Sequence, residues 1–403
     1  MILKDLKIIM VVLKNKKMVK LKNISNLFNK FKSNKKSRSI RNIYLIIFEI
    51  YIKNIFIRNK KNTNINFIVE KANWAIKWDG IYISNALNKF LKDYHTSITS
   101  IPLINSNSKV IHFASQYMWL DWKNILPQRH KYIVSFFHGK PEDSKEVENH
   151  IKEFVSTKDS IFKVITASSL VYKRLIKWGI PSKKLVLIHT GVDTNLFSIP
   201  SMAKRNKVRK KLGFKNNEIV IGSFQKDGIG WGDGLIPKKI KGPDIFVNSV
   251  ELISKKLNLV VLLTGPSRGY VKKELTKKNI KFKHFYIDNY EEIVDYYYAL
   301  DLYIVSSREE GGPKPMIESM ASGVPVITTN VGMAKDFIKD KENGGLVESF
   351  KPEDIANKSL EILNLPKENL ISKAREDVLK ADWDLVAKLH WEKAYKPALD
   401  SFK

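Results

Sequence analysis

The sequence predicts an α/β protein: two domains in series, each a parallel sheet with helices on both faces, behind a basic N-terminal extension. Three observations carry this reading. The 403 residues are 43% hydrophobic and 28% charged, a globular composition long enough for two or three domains. From Asn66 onward, short apolar runs alternate with longer helical stretches. The composition also changes near residue 65. Residues 1–65 hold fourteen Lys and three Arg against Asp5 and Glu49, about half of the formal +29, and contain no Gly and no Pro.

The extension, 1–65, is not a secretory signal, because its apolar run 8–13 is short and no small-residue cleavage site follows. Residues 40–57 are more apolar but hold Arg41, Glu49 and Lys53, too many charges for a spanning helix. As a helix, the segment puts Asn42, Glu49 and Lys53 on one stripe and Ile43, Ile46, Ile47, Ile50 and Tyr51 on the other faces. This suits a helix lying in an anionic membrane interface between basic flanks. A helix packed on the protein's own body, or a solvated basic arm, is the competing reading.

The first α/β series has strands at 66–69, 110–113, 132–137, 164–167 and 185–189. After its first strand comes a loop containing Trp78-Asp79-Gly80, then a helix from about Ile81. The polar stretch 198–215 is the expected hinge. The second series has strands at 219–224, 260–264, 283–287, 302–306 and 326–328, with helices such as 244–255 and 290–300 between them. The absence of cysteine excludes a disulfide framework, a thiolate metal site and a cysteine nucleophile, and fits a reducing compartment. The Lys-rich start lacks interleaved stacking aromatics, so no nucleic-acid partner is expected.

Ligands of open α/β sheets sit at the carboxyl ends of strands, and the most informative motif lies there. A buried strand ends at Ser306, and Ser307-Arg308-Glu309-Glu310-Gly311-Gly312-Pro313-Lys314-Pro315 leads into a helix that stops near Gly323. The loop amides and the helix N-terminus form an anion site. Glu310 in the loop and Glu318 in the first helical turns can face one cleft, where carboxylates suit hydroxyl-rich ligands. A Glu near a helix N-terminus is also favourable by dipole alone.

This stretch resembles the family 4 retaining glycosyltransferases, in the group 1 glycosyl transferases, whose signature is two glutamates separated by seven residues in a strand–glycine loop–helix. The resemblance runs from residue 66 onward. Thr166-Ala167-Ser168-Ser169, Gly179-Ile180-Pro181, His189-Thr190-Gly191-Val192-Asp193, Lys241-Gly242-Pro243-Asp244 and Gly344-Gly345-Leu346-Val347 follow in the family's order. It implies the GT-B architecture: two Rossmann-like domains across a cleft, an acceptor domain at 66–200, a nucleotide-sugar donor domain at 201–380, and a C-terminal helix, 381–403, returning to the first domain.

The implied roles follow position by position. Glu318 would hold the donor ribose, and Glu310 would contact the sugar near the reacting centre. Lys241 would neutralise the diphosphate, and the stretch Gly312 to Pro315 would offer backbone donors through the amides of Gly312 and Lys314, with Pro315, which has no N–H, starting the helix. His138 in Phe136-Phe137-His138-Gly139 matches the cleft histidine, with a satisfied strand-end histidine as the alternative. Gly80 would let its loop approach the diphosphate. The family's arginine after the first strand of the second domain is replaced here by Gln225-Lys226-Asp227, so Lys226 would supply that charge as a point cation. The insert 228–237, with glycines at alternate positions, reads as a mobile loop over the donor. Asp382-Trp383-Asp384 reads as a helix N-cap.

The implied activity is retaining, metal-independent transfer of a sugar from a nucleotide-sugar to a glycan or lipid-linked acceptor, in surface polysaccharide or glycolipid synthesis. No cofactor or metal is expected. The enzyme would be cytoplasmic and peripheral on the inner face of the membrane. The alternatives are a nucleotide-sugar epimerase or phosphorylase on the same fold, or an inactive sugar-nucleotide-binding module.

Overall fold

The computed structural model describes residues 64–71, 75–103 and 109–402. The helix at 40–57 and its membrane face lie outside the described residues. Among the described residues, twelve short strands make two parallel six-stranded sheets. The first, in order β2-β1-β3-β4-β5-β6, is built from β1 (Ile65–Ile68), β2 (Thr96–Thr99), β3 (Val110–Phe113), β4 (Lys131–Ser135), β5 (Lys163–Thr166) and β6 (Leu185–Leu187). The second, in order β12-β11-β10-β7-β8-β9, uses β7 (Ile219–Ser223), β8 (Leu259–Thr264), β9 (Phe282–Phe285), β10 (Leu302–Val305), β11 (Val326–Thr329) and β12 (Gly345–Val347). Every strand pair is parallel. Central strands such as β8 and β10 are buried along their whole length, because helices cover both faces.

The helices are α1 (Ala75–Phe90), α2 (Gln116–Trp122), α3 (Lys145–Ser156), α4 (Ser169–Lys177), α5 (Met202–Lys211), α6 (Pro243–Ser254), α7 (Gly269–Lys277), α8 (Ile293–Tyr298), α9 (Lys314–Ala321), α10 (Ala334–Phe337), α11 (Pro352–Leu363), α12 (Lys367–Leu379), α13 (Trp383–His390) and α14 (Lys396–Asp400), the last two joined by a π-helical turn. The chain crosses to the second sheet after β6 and returns at α13. There Asp382 caps the helix through the Asp384 amide at 2.9 Å, and Trp383, Val386 and Ala387 join the core of the first sheet.

Four local expectations need correction. Helix α1 starts at Ala75, so Gly80 lies inside a helix and not in a loop. A β-carbon there would come within 2.7 Å of Val69 Cγ1, so this glycine serves close helix–strand packing. The stretch 198–215 contains α5, pinned to the second domain: buried Arg209 bonds Asp301 at 2.9 Å and the Glu218 carbonyl at 2.7 Å. Strands β2 and β12 were not expected; both are edge strands, β2 short and mostly polar, β12 only three residues long. The insert 228–237 is tied down at its base, where Arg268 pairs with buried Asp227 at 3.1 Å and Gly228 bridges to Pro237.

Candidate functional site

The site lies where the loop after β10 meets the first domain. Lys241 ends a short turn, and Gly242 follows at φ 61° as the N-cap of α6. A β-carbon on Gly242 would overlap the Ser306 carbonyl oxygen, and Ser306 Oγ donates to the Gly242 carbonyl at 2.8 Å. Glycine therefore lets the α6 N-terminus dock on the end of β10. That docking sets Lys241 Nζ 2.6 and 2.7 Å from the two carboxylate oxygens of Glu310, which also accepts from Ser307 Oγ at 2.7 Å. Burial would raise the Glu310 carboxyl, but Lys241 and Ser307 outweigh it and hold it below the usual carboxylate range.

Glu318 lies in α9, almost fully buried. It accepts hydrogen bonds from the phenols of Tyr290 and Tyr297, the latter at 2.8 Å. Burial pushes its carboxyl above the usual range, against the pull of Lys314 and the two phenols. The two glutamates thus occupy opposite electrostatic settings, one paired with a cation and one solvated by hydroxyls. Tyr290 in turn stacks on Trp78 of α1, with ring centroids 5.7 Å apart.

Across the cleft, the strand-end run after β4 carries His138, half-buried. Gln116 clamps this run, accepting from the Phe137 amide at 3.2 Å and donating to the His138 carbonyl at 3.4 Å. Burial lowers the imidazole's proton affinity, while Glu310 raises it and Lys241 lowers it, so these groups share one field. Lys238 belongs to the same field: partial desolvation, Lys241 and Lys226 push its ammonium below the ordinary lysine range. Lys226 sits beside the insert, its ammonium 4.7 Å from the Trp231 ring.

Lys314 turns to the other domain, 2.6 Å from Asp79 Oδ1 and over the rings of Tyr290 and Trp383. Its side chain is engaged there, apart from the Lys241 cluster, while Pro315 occupies the first turn of α9. The loop glycines bring the two domains together. A β-carbon on Gly311 would lie 2.7 Å from the Phe137 carbonyl oxygen, and one on Gly312 would lie 3.0 Å from Thr190 Oγ1. Gly80 lines a small cavity of about 50 Å³ at the top of the first sheet, with Asp79, His112 and Trp383.

The structure therefore brings Glu310, Lys241 and His138 into one cluster, with Lys226 beside it, and sets Glu318 in a second pocket on the same loop–helix unit. Tyr290, Tyr297, Lys238 and Ser307 escaped the sequence reading. The two tyrosines had one signal: at i and i+7 in an expected helix, both phenols fall on one face.

Residues 235–377 match the family model described as "Glycosyl transferases group 1". Among curated proteins, the chain is 27% identical over 171 residues to the lipopolysaccharide core biosynthesis mannosyltransferase LpsB of Rhizobium meliloti, covering 40% of this chain and 45% of that protein. It is 28% identical over 204 residues to the alpha-monoglucosyldiacylglycerol synthase of Streptococcus pneumoniae, covering 50% of this chain and 44% of that protein. The chain spans about half the length of the curated relatives it matches. Among solved structures, Anabaena HepE in complex with UDP and glucose superposes with a TM-score of 0.65 at 18% identity, over 81% of this chain and 97% of that one. The shared fold is the GT-B arrangement of two Rossmann-like domains.

Proposed function

Starting from a second domain that belongs to the glycosyl transferases group 1 family, we propose that this protein is a retaining, metal-independent glycosyltransferase of family 4. It moves a sugar from a nucleotide-sugar donor to a glycan or lipid-linked acceptor on the inner face of a membrane. The observation that carries this reading is the pair of buried glutamates on one loop–helix unit, one bound to Lys241 and the other to two tyrosines. A neighbour solved with UDP and glucose, and relatives named for lipopolysaccharide core and diacylglycerol substrates, support the donor and acceptor classes.

The residues divide the work. Glu318, buried and accepting two phenols, exchanges one or both for the ribose hydroxyls of the donor. Lys241, with Lys238 and Lys226, meets the diphosphate. As the anomeric C–O bond breaks, the electron pair leaves on the phosphate oxygen, and these cations stabilise the growing charge. The acceptor hydroxyl adds to the same face of the sugar, and its proton passes to that phosphate oxygen. Glu310, freed of part of its contact with Lys241, and His138 flank the sugar. The cleft offers ammonium groups where a metal-dependent site would offer carboxylates, which supports a metal-free step.

The test is transfer from UDP-, GDP- and ADP-hexoses to glycan and glycolipid acceptors, with the product's anomeric configuration read by NMR. Transfer with the donor's configuration retained, and undiminished by EDTA, is expected. An inverted product, or free epimer without transfer, would overturn the reading. Abolition by EDTA with rescue by manganese would overturn its metal-free part.

A further inference from the structure

The insert between β7 and α6 is unlike an ordinary surface loop. Within eight residues it exposes four large apolar side chains: Ile229 at 57%, Trp231 at 64%, Leu235 at 60% and Ile236 at 66%. Such a cluster on a solvent-facing turn is what soluble surfaces avoid unless something covers it. Its base, by contrast, is locked. Ser267 Oγ donates to the carbonyls of Gly230 and Gly232 at 3.1 and 2.9 Å. The first amides of α7 donate to the carbonyls of Asp233 and Gly234 at 2.6 and 3.0 Å, so the loop caps that helix. Arg268, fully buried, ties Asp227 to the end of β7. The apolar tip therefore stands on a hydrogen-bonded base, with its four large side chains exposed to solvent.

Charge says what covers it. The tip is flanked by Lys226, Lys238 and Lys239, and Asp233 is the single acid between Gly228 and Lys241. Lys226 lies against the Trp231 ring, a cation and an interfacial aromatic side by side. Large apolar side chains ringed by lysines, with Trp among them, match a bilayer interface carrying anionic headgroups. The Lys241 amide donates to the Lys238 carbonyl at 2.8 Å and Lys241 Nζ to Glu310 at 2.6 Å, so the tip rises from the rim of the donor cleft.

We propose that the segment 229–236 is a membrane wedge: it enters the headgroup region of an anionic bilayer and presents the rim of the donor cleft to lipid. The inference deepens the membrane-surface reading by naming a contact in the second domain, apart from residues 1–65.

The test uses the full chain and vesicles of phosphatidylcholine and phosphatidylglycerol in equal parts, with and without bromine-labelled acyl chains. Trp231→Phe keeps the wedge apolar and removes its fluorophore. It should bind as the wild type does but lose a large share of the bromolipid quenching. Replacing Ile229, Leu235 and Ile236 together by Ser should weaken vesicle binding roughly tenfold or more without shifting the unfolding midpoint, because all three are exposed. Unchanged quenching in Trp231→Phe, with vesicle binding intact, would overturn the wedge while leaving a membrane contact through residues 1–65. A wild-type chain that ignores these vesicles would overturn both. Transfer to a soluble acceptor, measured apart, reports on the glycosyltransferase reading alone.

Discussion

At the scale of single residues, the two glutamates sit in environments that predict different failures. On the proposed roles, Glu318→Ala should raise the dissociation constant for nucleotide at least tenfold, by isothermal titration, whereas Glu310→Gln should chiefly lower turnover. Equal loss of affinity in both would contradict the division. Stability should respond the other way. Glu318 has its folded carboxyl raised by burial, so its charged form is disfavoured. The stability linked to such a group is complete below the ordinary carboxylate range and is lost as pH rises through the raised folded value. Glu318→Gln keeps the shape without the charge, and should therefore unfold at a higher temperature than wild type at pH 7. In acid the gap should close. A gap that stays constant down through the carboxylate range, read by thermal melts, would show that burial does not strain this carboxyl. The glutamates and Lys241 were legible in the sequence because their spacing repeats a known pattern on a strand–loop–helix. Tyr290 and Tyr297 were not, since their contacts with Glu318 span 28 and 21 residues and depend on how α8 and the turn before it pack on α9.

At the scale of elements, the placement of Lys241 depends on one glycine. Gly242→Ala would demand a side chain at φ 61° and overlap the Ser306 carbonyl. The α6 N-terminus would be pushed off β10, costing about 2–3 kcal/mol and moving Lys241 from Glu310. Donor affinity should fall with stability in this variant; an alanine protein with wild-type nucleotide binding would mean that the dock does not set the lysine. The strands of both sheet centres were legible as apolar runs, because burial on both faces removes any need for polar positions. The edges were not. In β2, Thr96, Ser97 and Thr99 face a helix surface and the polar Asn66, which donates to Ser97 Oγ at 2.9 Å and Thr99 Oγ1 at 3.0 Å. A polar edge of this kind carries no hydrophobic signature. Gly80 misled for a related reason: read alone, a glycine after a strand suggests a loop, and only the neighbouring Val69 shows why a helix needs it.

At the scale of the whole molecule, polar contacts fasten the two domains across the cleft. Buried Glu309 of the second domain meets Arg174 at 2.5 Å and Lys140 at 3.5 Å from the first. Lys314 meets Asp79, Ser168 Oγ donates to the Gly332 carbonyl at 2.6 Å, and the Ser169 amide donates to Asp336 at 2.9 Å. Glu309 is the costly member, since it is buried and depends on its cations. Arg174→Met should therefore favour separation of the domains, enlarging the radius of gyration in small-angle scattering, and donor nucleotide should partly reverse the change. An unchanged scattering curve would show that this ion pair does not hold the domains together. The sequence suggested two domains and a cleft, but nothing in it announced Glu309, because a charged residue beside Glu310 looks like part of the same motif.

The return of the chain at α13 sets the order in which this protein can be made. Trp383, Val386, Ala387, Ala394, Tyr395, Ala398 and Leu399 are core residues of the first sheet, packed with Ile65, Phe67 and Val110. A ribosome delivers the strands of that sheet some two hundred residues before these partners, and the second domain is complete in between. Until α13 and α14 follow, the first domain waits with this core closed on one side only by α1, while the later domain is free to fold. Emergence of α13 and α14, and not that of the first sheet, is the moment at which this core can close and the first domain gain its protection from proteases and aggregation.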